Sequence, residues 1–416
     1  MGFSDHPWPE DTQLFPKHAE VQKYIEDYSQ DIRHLIQFET QVIDLHQKDQ
    51  NPSSGWILKT QPITRANNTS NIQTHHFDAV VIANGHFNIP YIPFVPGIEA
   101  WTAAHPGTIT HSKFYRQPEH HAGRKVIIVG NSASGLDIAA QIAPYSKPPL
   151  LISSKSDSYL QPPGATMPSN QHPKPPISKY LPDDETRTRT VEFEDGTTES
   201  GIDAIIYCTG YFYSFPFMTQ SNPTNHPPHA PPLTTTGERV ENTYVHLFHT
   251  PNPTLALPTL NQKIIPFPHA EAQAAVLARV FSGRLTLPSR AEMEAWEEAE
   301  IERKGDGRGF HVLAFPEDGE YVNMMYWWAV GVDGGGGGEG EGKGKVEKVG
   351  KTPPFWGERE FWIRERFPAI KRAFQGLGEG RHGVRSLGEV GFDFEIWKKE
   401  EEEREEKEKG KGREGS

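Results

Sequence analysis

The chain has 416 residues, room for two domains of ordinary size or for one with insertions. Its net charge of -13 argues against a general nucleic-acid binder, and its one cysteine, Cys208, excludes an internal disulfide or a cysteine metal cluster. No apolar run approaches the ~20 residues that span a bilayer, and Met1-Gly2-Phe3-Ser4-Asp5 leads into polar, proline-rich sequence without a secretory pattern, so a cytoplasmic protein with no membrane span is expected.

Residues 3–16 mix aromatics and prolines and read as an ordered loop. Lys17 to Asp31 is predicted to be a helix with Val21, Tyr24, Ile25 and Tyr28 on one face. Short strands are predicted over Leu35 to Phe38, Val42 to Leu45 and Trp56 to Leu58, and a polar hairpin loop from Asn67 to His76. A buried strand, Phe77 to Ala83, then stops at Asn84-Gly85-His86. A strand ending in a small residue and glycine lets a cofactor approach the backbone closely. Pro90, Pro93 and Pro96 make an extended crossing into the next region.

That region holds the most specific pattern in the chain. Val126-Ile127-Ile128-Val129 is a short apolar strand, Gly130-Asn131-Ser132-Ala133-Ser134-Gly135 a glycine-rich turn, and Leu136, Ile138, Ala139, Ile142 and Ala143 follow helical spacing. Strand, tight turn and helix open a βαβ unit of the kind that binds a dinucleotide pyrophosphate. Gly130 suits the sharp turn, Gly135 the close approach of helix to strand, and Ser132 stands where the middle glycine is usual, adding a hydroxyl donor. The turn amides and helix N-terminus present donors and partial positive charge to phosphate. The alternative is an ordinary strand-to-helix turn with glycines for geometry only. The next strand, Leu150 to Ile152, ends in Ser153-Ser154-Lys155-Ser156, with no carboxylate until Asp157. An NAD site wants an acid there for the ribose hydroxyls; hydroxyls and a lysine suit a ribose phosphate, so Ser154 and Lys155 read as NADP(H) ligands.

After Lys155 the chain is irregular and proline-rich to Pro182. Val191 to Phe193 and Glu194-Asp195-Gly196-Thr197 make a hairpin. Asp203-Ala204-Ile205-Ile206-Tyr207-Cys208 is a second buried strand that stops at Thr209-Gly210, an echo of the strand ending at Gly85 that suggests two nucleotide-binding halves. Pro216 to Pro232 is a proline- and histidine-rich loop, Tyr244 to Phe248 and Thr254 to Leu257 read as strands, and Ala270 to Phe281 and Ser289 to Arg303 as helices. The first of these helices starts where its N-terminus would face a cofactor; the second has a capping box. A Gly/Glu/Lys linker, an aromatic and basic docking helix from Pro353 to Phe374, and a charged tail complete the chain. The 19 histidines include no spacing that holds a metal, and no G-x-S-x-G elbow supports a hydrolase.

These residues resemble the flavin-containing monooxygenases of the fungal type. The family motif F-x-G-x-x-x-H-x-x-x-[YF] is matched at Gly107, His111 and Tyr115, with His105 in place of the first aromatic. Tyr115-Arg116 argues against the related Baeyer–Villiger enzymes. The NADPH loop is matched at Gly130, Ser132, Ser134 and Gly135, the hinge motifs at Ala83-Asn84-Gly85-His86 and Cys208-Thr209-Gly210-Tyr211, and the opening FSDHPWPEDTQLFP and late EAQAAVLARVFSGRLTLPSR also look like the family.

The resemblance implies an α/β fold with two Rossmann-like nucleotide-binding domains. An NADPH domain (101–215) is inserted into an FAD domain (1–100, resuming at 216–332) that lacks its first βα unit. A linker (333–352), a helical segment (353–397) and a tail (398–416), disordered or a single solvated helix, follow. No G-x-G-x-x-G precedes Phe3, so the chain reads as N-terminally truncated. The implied cofactors are FAD and NADPH, held by Gly130, Asn131, Ser132, Ser134, Gly135, Ser154, Lys155, Asn84, Gly85, Thr209 and Gly210. The implied reaction is of the N,N-dimethylaniline monooxygenase type: a flavin hydroperoxide oxygenates a soft nitrogen or sulfur nucleophile, with dioxygen and a small molecule as partners. No acid–base residue is assigned, and His111 and Tyr115 are expected to be structural. The alternative is an inactive relative that keeps only an NADP(H)-binding module. A disulfide reductase is excluded by the single cysteine.

Overall fold

The computed structural model describes residues 2–49, 54–63, 71–158, 160–161, 166–186, 188–218, 233–331 and 350–414. In chain order the elements are α1 (His18–Tyr28), β1 (Thr40–Gln47), β2 (Trp56–Pro62), β3 (Gln73–Phe77), β4 (Val80–Val81), β5 (Ile89–Pro90), α2 (Ile98–Ala104), β6 (Ile109–His111), β7 (Val126–Val129), α3 (Ala133–Ile142), β8 (Leu150–Ser153), β9 (Gln171–Lys174), β10 (Ile177–Tyr180), β11 (Val191–Phe193), β12 (Thr198–Glu199), β13 (Ala204–Tyr207) and β14 (Tyr211–Phe212). Then come β15 (Thr243–Tyr244), β16 (Phe248–His249), β17 (Leu255–Ala256), α4 (Pro266–Phe281), α5 (Arg290–Lys304), α6 (Glu317–Ala329), α7 (Glu358–Gly376) and α8 (Phe394–Glu414). Two compact units result: His86–Tyr213, continuous in sequence, and Met1–Gly85 with Ser214–Ser416, which it interrupts.

The continuous unit is built on a five-stranded parallel sheet, β6-β13-β7-β8-β9. Parallel strands are buried on both faces, and the apolar runs show it. Val126, Ile128, Leu150, Ile152, Ala204 and Ile206 pack with Ile138, Ala139 and Ile142 of α3. Their sequence neighbours Ile127, Leu151, Ile205 and Tyr207 turn to the opposite face, onto Trp101, Tyr180, Val191 and Phe193. The period-2 alternation thus feeds two cores, one per face. The unit begins at His86 rather than at residue 101 because the proline-rich crossing belongs to it: β5 pairs with β14, and Tyr91 N–H donates to Gly210 O at 2.9 Å.

The discontinuous unit holds an antiparallel sheet β1-β2-β3 and a four-stranded sheet β15-β16-β17-β4, in which β17 and β4 run parallel. Its largest core joins the β15–β16 region to α4 and α6 through Leu247, Phe248, Ala272, Val276, Val322 and Met325. Arg364 of α7 pairs with the buried Asp318 of α6 at 2.5 Å. Lys351 ties the C-terminal part to the start of the chain, with Nζ at 2.7 Å from both Asp5 and Glu271, while Ser4 N–H donates to Glu271 at 2.9 Å.

Several expected elements come out differently. Leu35 to Phe38 is no strand; a 3-10 helix, Gln30–Leu35, takes its start, and Leu35 and Phe38 are exposed, so nothing pairs or buries them. The strand expected over Phe77 to Ala83 is split into β3 and β4. Tyr244 to Phe248 is a hairpin turn. The 398–416 tail is helical to Glu414 within α8. The proline- and histidine-rich loop from 219 to 232, the linker from 332 to 349, and part of the Asn67 to His76 loop lie outside the described residues.

Candidate functional site

The turn after β7 is closed to side chains. Gly130 has φ +101°, its N–H donates to Ser153 O at 2.8 Å, and a Cβ there would sit 2.8 Å from Cys208 O. A Cβ on Gly135 would meet Gly130 O at 1.9 Å. Only glycine lets α3 close on the strand end this tightly, and that closeness brings its first amides to the end of the sheet. Ser132 is the N-cap residue of α3, in an extended conformation, and its side chain makes no capping hydrogen bond. Ser132 and Ser134 are exposed. Asn131 Nδ2 donates to Ser156 O at 2.6 Å and ties the turn to the loop after β8. That loop carries Ser154, half-buried, and Lys155, exposed. The glycine turn and the Ser154–Lys155 loop are therefore held side by side at the carboxyl ends of β7 and β8.

The end of β13 lies in the same unit. Thr209 Oγ1 donates to Tyr91 O, and Gly210 has φ +86°. His111, at the end of β6 and buried, has a defined proton: Nδ1 accepts from Lys113 N–H at 3.1 Å, so Nε2 carries the hydrogen and donates to Gly210 O at 2.9 Å. Burial lowers its pKa from the ordinary histidine value. Tyr115 Oη donates to Gln141 Oε1 of α3 at 3.1 Å. His111 thus bonds the backbone at Gly210, and Tyr115 a side chain near the C-terminal end of α3. Cys208 is buried, and burial pushes its thiol up to about 12, which makes it a poor redox group.

In the other unit, β4 leads to Asn84 and to Gly85 at φ +71°. A cavity of about 540 Å³ runs along it, lined by Val80, Val81, Ile82, Ala83 and Asn84 and walled by Val42, Leu45, Leu58 and Phe217. Its walls are largely apolar. Among the described residues of this unit no glycine turn leads from a strand into a helix, so a pyrophosphate finds no cradle like that at Gly130. Asn84 and Gly85 lie in one unit, and Thr209, Gly210 and the Gly130 turn in the other. No group of three or more His, Cys, Asp or Glu among the described residues is arranged to hold a metal. No helix among them is long and apolar enough to cross a membrane.

Sequence reasoning missed the buried polar cluster of the discontinuous unit. Val240 N–H donates to His311 Nε2 at 3.0 Å, and His311 Nδ1 lies 3.0 Å from His246 Nδ1. Its members are spread over the chain, and no local pattern marks them.

The family model described as flavin-binding monooxygenase-like matches residues 1–162 and 183–326. The flavin-containing monooxygenase iboF of Amanita muscaria is 33% identical over 359 residues, covering 78% of this chain and 67% of that protein. The flavin-containing monooxygenase FMO GS-OX-like 7 of Arabidopsis thaliana is 34% identical over 307 residues, covering 71% of this chain and 60% of the relative. This chain thus spans about two thirds or less of these relatives' length. Among solved structures, that of S-allyl-L-cysteine S-oxygenase from Allium sativum is 26% identical with a TM-score of 0.69, covering 94% of this chain and 79% of that one. The family's cofactors are FAD and NADPH, and its fold is a pair of Rossmann-type domains. The matching family model and relatives, together with the parallel sheet and its glycine turn, establish that the chain belongs to the flavin-binding monooxygenase-like family.

Proposed function

We propose that the chain is an FAD- and NADPH-dependent monooxygenase of the N,N-dimethylaniline type that oxygenates soft nitrogen or sulfur nucleophiles. The observation that carries the reading is the Gly130–Gly135 turn, closed to side chains and opening on the α3 N-terminus. In this reading the turn amides, Ser132 and Ser134 bind the NADPH pyrophosphate, and Asn131 holds the neighbouring loop so that Ser154 and Lys155 take the ribose phosphate. The backbones at Asn84-Gly85 and Thr209-Gly210 leave room for close approach of the cofactors. His111 and Tyr115 keep β6, β13 and α3 in register around the turn. FAD, when bound, supplies hydride acceptance and dioxygen activation, so the protein needs no acid–base pair of its own. The name of the Allium structure supports a sulfur nucleophile.

A second reading, a module that binds NADP(H) alone, is favoured by the absence of a pyrophosphate cradle among the described residues of the discontinuous unit. The visible spectrum of the purified chain separates the two. Flavin uptake, bleaching by NADPH and recovery under air, with oxygenation of a thioether or tertiary amine, support the enzyme. NADPH binding without flavin uptake supports the module.

A further inference from the structure

The turn between β15 and β16 is strained. Leu247 N–H donates to Tyr244 O at 3.0 Å, closing a β-turn whose central residues, Val245 and His246, have φ +45° and +54°. Glycine and asparagine adopt this left-handed conformation readily; a β-branched valine there is an outlier. Such a backbone persists only where its surroundings over-determine it. Here Tyr321 Oη donates to Val245 O at 2.6 Å, and the His246 ring, 1% exposed, contacts His311 on one side and Glu300 on the other.

One backbone amide orders every proton in this cluster. Val240 N–H donates to His311 Nε2, which therefore carries no hydrogen. The His311 proton sits on Nδ1 and is donated to His246 Nδ1 at 3.0 Å. The His246 proton then sits on Nε2 and faces Glu300 Oε1 at 3.6 Å. Both remaining ring nitrogens already accept a hydrogen bond. An added proton on His246 Nδ1 would oppose the His311 N–H, and one on His311 Nε2 would oppose Val240 N–H.

The charges around His246 are already matched among themselves. From α5, Glu300 and Lys304 face His246, with Arg303 on Glu300; from α6, Glu317 and Tyr321; from α4, His269; and from the segment before α6, His311. The rings of Trp296 and Phe310 also lie against His246. The two carboxylates are matched by two cations: Arg303 contacts Glu300 and Glu317 at 2.7 and 2.5 Å, and Lys304 contacts them at 3.1 and 2.8 Å. Burial accordingly lowers the His246 pKa despite the neighbouring carboxylates.

We infer that the His246–His311 pair is an acid-operated latch: uptake of one proton breaks one of its two nitrogen-accepted hydrogen bonds and releases the left-handed turn. Release reaches the sheet directly. Leu257 N–H donates to Leu247 O at 2.7 Å, β16 pairs with β17, and β17 with β4, the strand that leads to Asn84-Gly85. The pair is neutral when latched and chargeable when open, so opening is favoured as pH falls below the ordinary histidine range, about 6.5. The device does not depend on the proposed enzymatic reading.

Hydrogen exchange of the full chain at pH 7.5 and 5.5, corrected for intrinsic rates, tests it. Peptides covering 240–250 are expected to lose protection more than tenfold at pH 5.5, while β7 keeps its own. His246→Asn, which suits a left-handed turn and removes one of the pair's two titratable rings, is expected to shrink the extra loss at 240–250 about tenfold. Unchanged protection at pH 5.5, loss spread evenly over the discontinuous unit, or the same loss in His246→Asn overturns the latch. Should that variant not fold, nitrogen NMR of the histidine-labelled native chain decides. At pH 7.5 the expected protons are on Nδ1 alone for His311 and Nε2 alone for His246; a charged ring or the opposite tautomers refute the ordering.

Discussion

Replacing Gly135 with alanine sets two effects of known sign against each other. In an open helix the change favours alanine by up to ~1 kcal/mol. At this position the new Cβ would lie 1.9 Å from Gly130 O and 2.8 Å from its carbonyl carbon, both backbone atoms that no rotamer change removes. Clearing them moves the start of α3 away from the end of β7 by about 1 Å, with overpacking costs of ~1–3 kcal/mol. The expected net effect is a loss of about 1–2 kcal/mol in the stability of the continuous unit. Displacement of the α3 amides from a bound phosphate by a similar distance breaks the shortest contacts, and NADPH affinity is expected to fall at least ~10-fold, or about 1.4 kcal/mol. Calorimetric titration with NADPH and thermal melts read both. Gly376→Ala, in α7 with no atom within 4 Å of its added Cβ, is the control and should be neutral or stabilising. If Gly135→Ala binds NADPH with wild-type affinity and melts at the wild-type temperature, the close helix–strand approach is not what the glycine is for.

Arg364→Ala leaves the Asp318 carboxylate, 1% exposed, without its cation, and is expected to cost ~3–5 kcal/mol in urea denaturation; a wild-type midpoint would show the pair to be dispensable. His249 and His269 are neutral in the fold because burial lowers their pKa values to about 4 and about 3. Unfolded histidine titrates near 6.5, so their full contribution is present above that pH and declines by ~1.4 kcal/mol per unit per histidine down to the folded values. The urea midpoint should therefore fall between pH 7.5 and 5.5. Cys208 should resist a thiol reagent in the native protein and react with one equivalent in denaturant; rapid native labelling would contradict its burial.

What could be read from the chain was what neighbouring residues decide. The β7–turn–α3 unit is legible because strand, glycine and helix signals lie within eighteen residues of each other, Val126 to Ala143. The α5 start is legible because its capping box is local: Ser289 N–H donates to Glu292 Oε2 at 2.8 Å. The paired D-A-V-V and D-A-I-I runs do become β4 and β13, each followed by a glycine at positive φ. The β15–β16 turn was illegible because Val245 and His246 are the wrong residues for it. Tertiary hydrogen bonds override their preference, and the partners His311 and Tyr321 are 65 and 76 residues away. Leu35 to Phe38 misleads in the opposite sense, since an apolar run has no strand to pair with where it lies.

The interruption of one unit by the other also orders events in time. The clasp between Ser4 and Glu271 spans 267 residues, and that between Asp5 and Lys351 spans 346. The continuous unit, His86–Tyr213, contains every strand of its sheet and can complete its core while the rest of the chain is still being made. Before His86 only the β1-β2-β3 sheet has that option: β4 waits for β17, and Ser4 waits for α4. At ~5–20 residues per second, that wait lasts roughly ten seconds to a minute. Throughout it, β4 has no strand to pair with. Any factor that shields nascent chains therefore has one defined client here, the opening segment, and one defined moment of release, the emergence of α4.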